Sequence, residues 1–234
     1  MRIVRVTDDA TTDLLYRQVL LPSFPEDQLV TGESLLADLH DGVGEVFVAR
    51  DDAGALLGGA VGSWYEGPRV MLLSYLAVAE EGRGTGVGSL LLGHLVPEWA
   101  ERYDPCLIVA EVERPDQHPG NRAHGDSEAR LRFYARLGAR ALDLPYFQPA
   151  LDRQKARVHG MLLLLLHAAP EFAGEHPESV AAGPLRGFLT EYLVETEGEV
   201  ARQDPATSAL WQGLDRAGGV AVRPVERYAQ IAAG

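Results

Sequence analysis

Three groups of residues in this chain have types and spacings suited to chemistry. The first is "RGTGVG", Arg83 to Gly88, with glycines at alternate positions between an apolar strand-like run and an apolar helix-like run. Successive backbone N–H groups at a helix N-terminus form a nest for an anion, and the helix dipole strengthens it. Glycine lets the main chain approach a phosphate closely. The second group is Glu111 and Glu113, two apart in "CLIVAEVE", which places both on one face of a strand. A poorly solvated carboxylate there has a raised pKa and can take a proton directly or through water, or bind a cationic amine. The third is a set of aromatics on or near strand ends: Trp64, Tyr65, Tyr75, Tyr146 and Phe147. They suit an acceptor with an apolar or ring component.

The phosphate belongs to a nucleoside triphosphate, a dinucleotide or coenzyme A. A P-loop needs Lys-Ser or Lys-Thr after its last glycine, and Gly88 is followed by Ser89 and Leu90. A dinucleotide fingerprint needs G-x-G-x-x-G, and Ser89 stands where its third glycine belongs. Such a site also wants an acidic residue at the end of the following strand, and Asp104, at about the right distance, lies before "CLIVAEV" and is misplaced.

The elements that must position these groups follow from periodicity. "RIVRV" alternates like a strand, and residues 13–39 read as helix, Pro-broken loop and helix. "EVFVAR", "ALLGGAVGSWY" and "VMLLSYLAVA" are three strands joined by the turns "DDAG" and "EGPR", hence antiparallel neighbours. After the glycine turn, Leu92, Leu95, Val96, Trp99 and Tyr103 mark one face of a helix over 86–103, with Pro97 inside it. "CLIVAEVE" is a buried strand. Asp126 or Ser127 caps the helix "EARLRFYARLG", which Gly138 ends. "ARALDLPYFQPAL" and "RVHGMLLLLLHAA" read as two strands able to pair. From Pro170 the chain turns acidic and helical, with helices expected in "PESVAAGPLRGFLTEYLVETEGEV" and "DPATSALWQGLDRAGG". The order predicts a mixed sheet with helices on both faces.

Composition narrows the partners. The 234 residues carry 21 basic and 34 acidic side chains, a net charge of -13. Nucleic acid and anionic membranes are repelled by such a field, whereas a cationic amine is attracted. Glu26, Asp27 and Glu33 in the first helical loop are candidates to attract it. One cysteine, Cys106, excludes an internal disulfide and reads as a buried core residue. His118, His124, Asp116 and Asp126 share a loop, but their spacing fits no standard metal site, so no metal is expected. "MRIVRVTDD" lacks a signal-peptide core and "MLLLLLHAA" is too short to span a bilayer, so a cytoplasmic protein is expected.

The run Leu76 to Gly88, "LAVAEEGRGTGVG", followed downstream by "RFYARLGAR" at 132–140, resembles the two signatures of the GNAT acetyltransferase superfamily. Glu80 stands where the family usually has proline, and Ala139 where it has an aromatic or aliphatic residue. The resemblance covers roughly residues 1–168, an acetyltransferase domain, and leaves 169–234 as a helical extension of open role, a cover for the pocket or a homodimer contact among the options. It implies an α/β (α+β) fold with a mixed, mostly antiparallel central sheet. It implies acetyl-CoA as co-substrate, lying between two splayed parallel strands, "LLSYLAV" and "CLIVAEV". Leu76, Ala77 and Val78 would offer backbone groups to the thioester and pantetheine arm. Arg83, Gly84, Thr85, Gly86, Val87, Gly88 and Ser89 would hold the pyrophosphate. Tyr134 would protonate the leaving thiolate, and Glu111 is the candidate base for a small primary amine that attacks the thioester directly. Glu113, Tyr75, Trp64 and Tyr146 are candidate acceptor contacts. Arg130, Arg132, Arg136 and Arg140 read as a solvated helix face, with the 3′-phosphate of coenzyme A as the other use. A non-catalytic acyl-CoA sensor and a transferase for a longer acyl group remain alternatives.

Overall fold

A computed structural model describes residues 1–120, 125–174, 176 and 178–234. Among the described residues, nine strands form one sheet in the order β1-β2-β3-β4-β5-β7-β6-β9-β8. The strands are β1 (Arg2–Val6), β2 (Gly44–Arg50), β3 (Leu56–Tyr65), β4 (Val70–Val78), β5 (Leu107–Glu113), β6 (Arg140–Leu142), β7 (Met161–Ala168), β8 (Ser179–Val180) and β9 (Val220–Pro224). Every neighbouring pair is antiparallel except β4 and β5. That one parallel pair needs a crossover, and α3 (Val87–Tyr103) supplies it.

Alternation along β4 sends Met71 and Leu73 to one face and Val70 and Leu72 to the other. The first face packs against α3 through Leu91, Leu95 and Trp99, with α4 (Ser127–Arg136) beside it through Leu131 and Tyr134. Gly62 of β3 lies under Trp99, where a Cβ would come within 2.6 Å of the indole. On the other face, α1 (Asp9–Leu15) and α2 (Gly32–Asp41) cover the β1–β4 side through Leu15 and Leu35. There α5 (Ala182–Glu197) and α6 (Pro205–Leu214) cover the β5–β9 side through Phe188, Leu189 and Trp211. Fully burying each such side chain contributes about 1.5–3 kcal/mol.

Local signals explain the ends of these elements. The Asp126 carboxylate accepts from the N–H of Glu128 and of Ala129, and Gly138 has φ +83° just past α4. Helix α3 runs on through Pro97 to Tyr103. Two regions differ from the sequence expectation. The stretch "ARALDLPYFQPAL" is a strand only over Arg140–Leu142, with one isolated bridge at Gln148 to Val158. Pro145 and Pro149 have no N–H to give a ladder, so the segment leaves the sheet. The C-terminal part contains the two expected helices and, in addition, β8 and β9, which continue the sheet beyond β6. It is tied down by Arg157, whose guanidinium bonds Glu197 at 2.5 Å and Asp204 at 2.6 Å and lies over the Phe147 ring.

Candidate active site

The site begins where β4 and β5 part. Their parallel pairing runs from Val70–Leu107 to Leu73–Ala110 and stops there. On the other side of β4, Val61 pairs with Tyr75 and Gly62 with Leu73, so Ser74 is the extra residue of a bulge. A bulge bends its strand and increases the twist. Ser74 and Glu111 are therefore the first residues beyond the last paired rung. Both line two cavities, one on each side of that fork.

The first cavity, about 400 Å³, is lined by Leu76, Ala77 and Val78 of β4, by Glu111 and Glu113, and by Arg83, Arg130 and Tyr134. It is continuous in its lining with a groove of about 460 Å³ over Gly84, Gly86, Val87, Gly88 and Ser89. Leu76, Val78, Arg83, Arg130 and Tyr134 belong to both. Gly84 and Gly86 have φ +76° and +86°, a conformation in which a side chain costs about 1–2 kcal/mol. Added Cβ atoms at these glycines would meet nothing within 4 Å, so the backbone faces open space. The first N–H groups of α3 have no intrahelical partner and point along the helix start. This donor set fits the pyrophosphate of an acyl-CoA. Thr85 is the exception among the expected contacts, since its hydroxyl donates to the Gly82 carbonyl at 2.7 Å and it does not line the groove. Arg130 and Arg136 line the groove, whereas Arg132 pairs with Glu128 and Arg140 with Glu178. Glu80 opens a 3₁₀ turn, Glu80–Gly82, at a position whose N–H needs no helical partner, so proline and glutamate both fit there.

The second cavity, about 680 Å³, lies on the opposite side of Ser74 and Glu111. Trp64 and Tyr75 line it. Tyr75 is also a structural post, its hydroxyl accepting from the Val30 N–H at 3.0 Å. Tyr146 is fully buried and absent from the lining. Its hydroxyl instead donates to the Glu111 carboxylate, to which Gln148 Nε2 and the Tyr192 hydroxyl donate at 3.4 Å. Tyr146 thus holds Glu111 in place. Glu113 faces the acyl-CoA side and is engaged by Gln28 Nε2 at 2.8 Å and Arg130 Nη1 at 2.9 Å. Glu26, Asp27 and Glu33 do not line this cavity; Asp38 and Asp41, further along α2, do.

Burial pushes the Glu111 carboxyl up to about 7, against the three hydrogen bonds that favour its charged form. Burial likewise pushes the Tyr134 phenol up to about 12, with the charge of Arg130 opposing. At neutral pH the pair therefore offers one group able to accept a proton and one that holds its proton firmly until a strong base forms. The sequence did not single out Ser74, Gln148, Tyr192, Glu191 or Glu195. The last two were visible only as like charges at i, i+4 in "EYLVE", an arrangement that costs an isolated helix a few tenths of a kcal/mol. No metal-holding cluster of His, Cys, Asp and Glu exists among the described residues, and His124 lies outside them. No helix among the described residues is long and apolar enough to cross a membrane.

Residues 42–138 match the family model described as an acetyltransferase (GNAT) domain, which includes β4, the glycine turn, β5 and α4. Residues 42–138 are thus a GNAT acetyltransferase domain, of a family that uses acyl-CoA. Among solved structures, the fold is similar to that of a protein assigned to the GNAT acetyltransferases from Bacteroides thetaiotaomicron, with TM-score 0.61 and 20% identity, covering 83% of this chain and 97% of that one. It is also similar to an IAA acetyltransferase from Bacillus cereus, TM-score 0.48 and 22% identity, over 70% of this chain and 97% of that one. Ard1 from Thermoplasma volcanium aligns at TM-score 0.49 and 21% identity, over 72% of this chain and 97% of that one. These likenesses concern the fold. No curated protein matches the sequence.

Proposed function

We propose that the chain transfers an acetyl group from acetyl-CoA to a primary amine of a small molecule by direct attack. The observation that carries this reading is Glu111, a carboxyl with pKa about 7 at the point where the acyl-CoA groove meets the acidic cavity. Backbone groups of Leu76 and Val78 and the N–H groups of the 83–89 turn hold the donor. Glu111, oriented by Tyr146, takes a proton from the incoming ammonium. The neutral nitrogen then forms a C–N bond at the thioester carbonyl carbon as the C–S bond breaks. Tyr134 gives its proton to the departing sulfur and is restored by the surplus proton of the new amide nitrogen, while Glu111 releases the ammonium's proton to solvent. Positioning of the two reactants across the fork supplies the rest of the acceleration.

The test is incubation with acetyl-CoA and a panel of primary amines, following free thiol release and the mass of the product. Amide formation supports the reading. Tight acyl-CoA binding without acetylation of any amine would assign a sensor role instead. A faster rate with a longer thioester would assign a different acyl group.

A further inference from the structure

Among the described residues, only Ser74 and Glu111 line both cavities, so they mark the point where donor and acceptor must meet. Glu111 has a task in the transfer proposed above, and Ser74 has none. Strict alternation along β4 would send Tyr75 to the face of Met71 and Leu73. The bulge prevents this. Tyr75 packs instead with Leu35 and Val61 on the opposite face, and both Ser74 and Tyr75 line the cavity of about 680 Å³. The extra residue of the bulge therefore puts a hydroxyl at the fork.

That hydroxyl has capacity to spare. Its partner is the Ser63 hydroxyl of β3, at 2.9 Å, and neither oxygen has another hydrogen-bond partner among the described residues. Two hydroxyls hold two protons and four lone pairs, and their mutual bond uses one of each. Ser63 lines the larger cavity and not the acyl-CoA side. The Ser74 hydroxyl is therefore turned toward the incoming acceptor, away from the thioester oxygen. When it donates to Ser63, its own lone pairs are left facing that cavity.

The chemistry of transfer gives those lone pairs a use. A primary ammonium has three N–H bonds, and one proton goes to Glu111 before attack. Two N–H bonds remain as the nitrogen joins the thioester carbon and turns cationic. One carries the surplus proton, which goes to Tyr134 on the acyl-CoA side and so points away from Ser74. The other stays in the amide. Resting on the transferase reading above, we propose that Ser74 is a further catalytic residue: its oxygen accepts the N–H that the amide keeps, and so aims the nitrogen lone pair at the carbonyl carbon. This bond strengthens as the nitrogen becomes positive, which is the condition for it to speed the reaction rather than only hold the guest. Ser63 is a positioning residue, since it takes the Ser74 proton and leaves the lone pairs turned outward. A secondary amine has only the N–H that it must lose, and offers Ser74 nothing. The serine thus sets a preference for primary over secondary amines.

The test compares pentylamine with N-methylpentylamine, and phenethylamine with N-methylphenethylamine, in the wild type, Ser74→Ala and Ser74→Cys. Cysteine is no smaller than serine and is a weak hydrogen-bond acceptor, so it removes the contact without making room for a methyl group. The wild type is expected to favour the primary amine of each pair in kcat/KM. Both variants are expected to cut that ratio about 10- to 100-fold, the worth of one hydrogen bond to a charged partner. The loss is expected in kcat for the primary amine, with acyl-CoA binding by calorimetry and the melting temperature near those of the wild type. Ser63→Ala is expected to move the ratio the same way by a smaller factor. An equal loss for both members of a pair assigns Ser74 a structural role and overturns the proposal. A ratio that falls in Ser74→Ala and not in Ser74→Cys overturns it too, since added room is then the cause. Either result leaves the transferase reading standing. A wild type that acetylates no amine of either pair also overturns the proposal, and acetylation elsewhere in the primary-amine panel then decides the transferase reading separately.

Discussion

Glu111→Gln is expected to make the protein slower and more stable at once, and the pH dependence of both effects follows from one number. The Glu111 carboxyl moves from an ordinary 4.5 to about 7 on folding, chiefly by burial. Between those values the folded state keeps a proton that the unfolded state has released, so stability falls as pH rises through that window. The full loss by pH 8 is about 1.36 × 2.5, or at most about 3 kcal/mol, since one pKa step is worth about 1.36 kcal/mol. Glutamine cannot ionise and escapes this loss, while its carbonyl can still accept from Tyr146. The variant should therefore match the wild type near pH 4.5 and exceed it at pH 8, by roughly 6–12 °C in melting temperature at the upper limit. Activity should move the other way. With saturating amine, wild-type kcat should fall about tenfold per pH unit below about 7, as the base becomes protonated. The variant should lose that limb and about 10²–10⁴ of the rate at pH 8. The assay is thiol release across pH 5.5–9 beside calorimetric melting at pH 4.5 and 8. A variant that keeps both the rate and the limb would falsify Glu111 as the base. One that gains no stability at pH 8 would instead remove burial as the origin of its raised pKa.

Further tests address the other parts of the site. Tyr134→Phe should lower kcat by about 10²-fold or more with acyl-CoA binding measured by calorimetry unchanged, because only a proton donor is removed. Gly86→Ala should cost about 1–2 kcal/mol in denaturant unfolding, from its φ of +86°, and should weaken acyl-CoA binding as its methyl enters the groove. Arg157→Ala leaves Glu197 and Asp204 without their shared cation and should destabilise by about 1–3 kcal/mol. Because Glu197 ends α5, the KM for the amine should rise more than the KM for acetyl-CoA.

The elements around the glycine turn were legible in the sequence because their signals are local. Alternating glycines, an apolar strand before them and a capped helix after them lie within short windows, and β4, α3 and α4 form as read. Glu111 could be picked out because a charge in a strand that is otherwise apolar is conspicuous. The second cavity was not legible, because its walls meet only through long-range contacts. Tyr146 looked like a pocket aromatic and is a hydrogen-bond donor behind Glu111, 35 residues away in sequence. Strand β8 has two residues and β9 ends at Pro224, too short and too punctuated to stand out from a helical tail. Their place in the sheet is fixed by Asp143, which binds Arg223 at 2.6 Å across 80 residues.

The family match ends at residue 138, before any residue of α5. The donor groove and the far wall of the acceptor cavity are thus written on separate stretches of one chain and joined only at the fork of Ser74 and Glu111. One stretch carries the glycine turn and its helix; the other carries a wall of the second cavity. Exchange of α5 alone would reshape that wall while every residue lining the glycine groove stays in place.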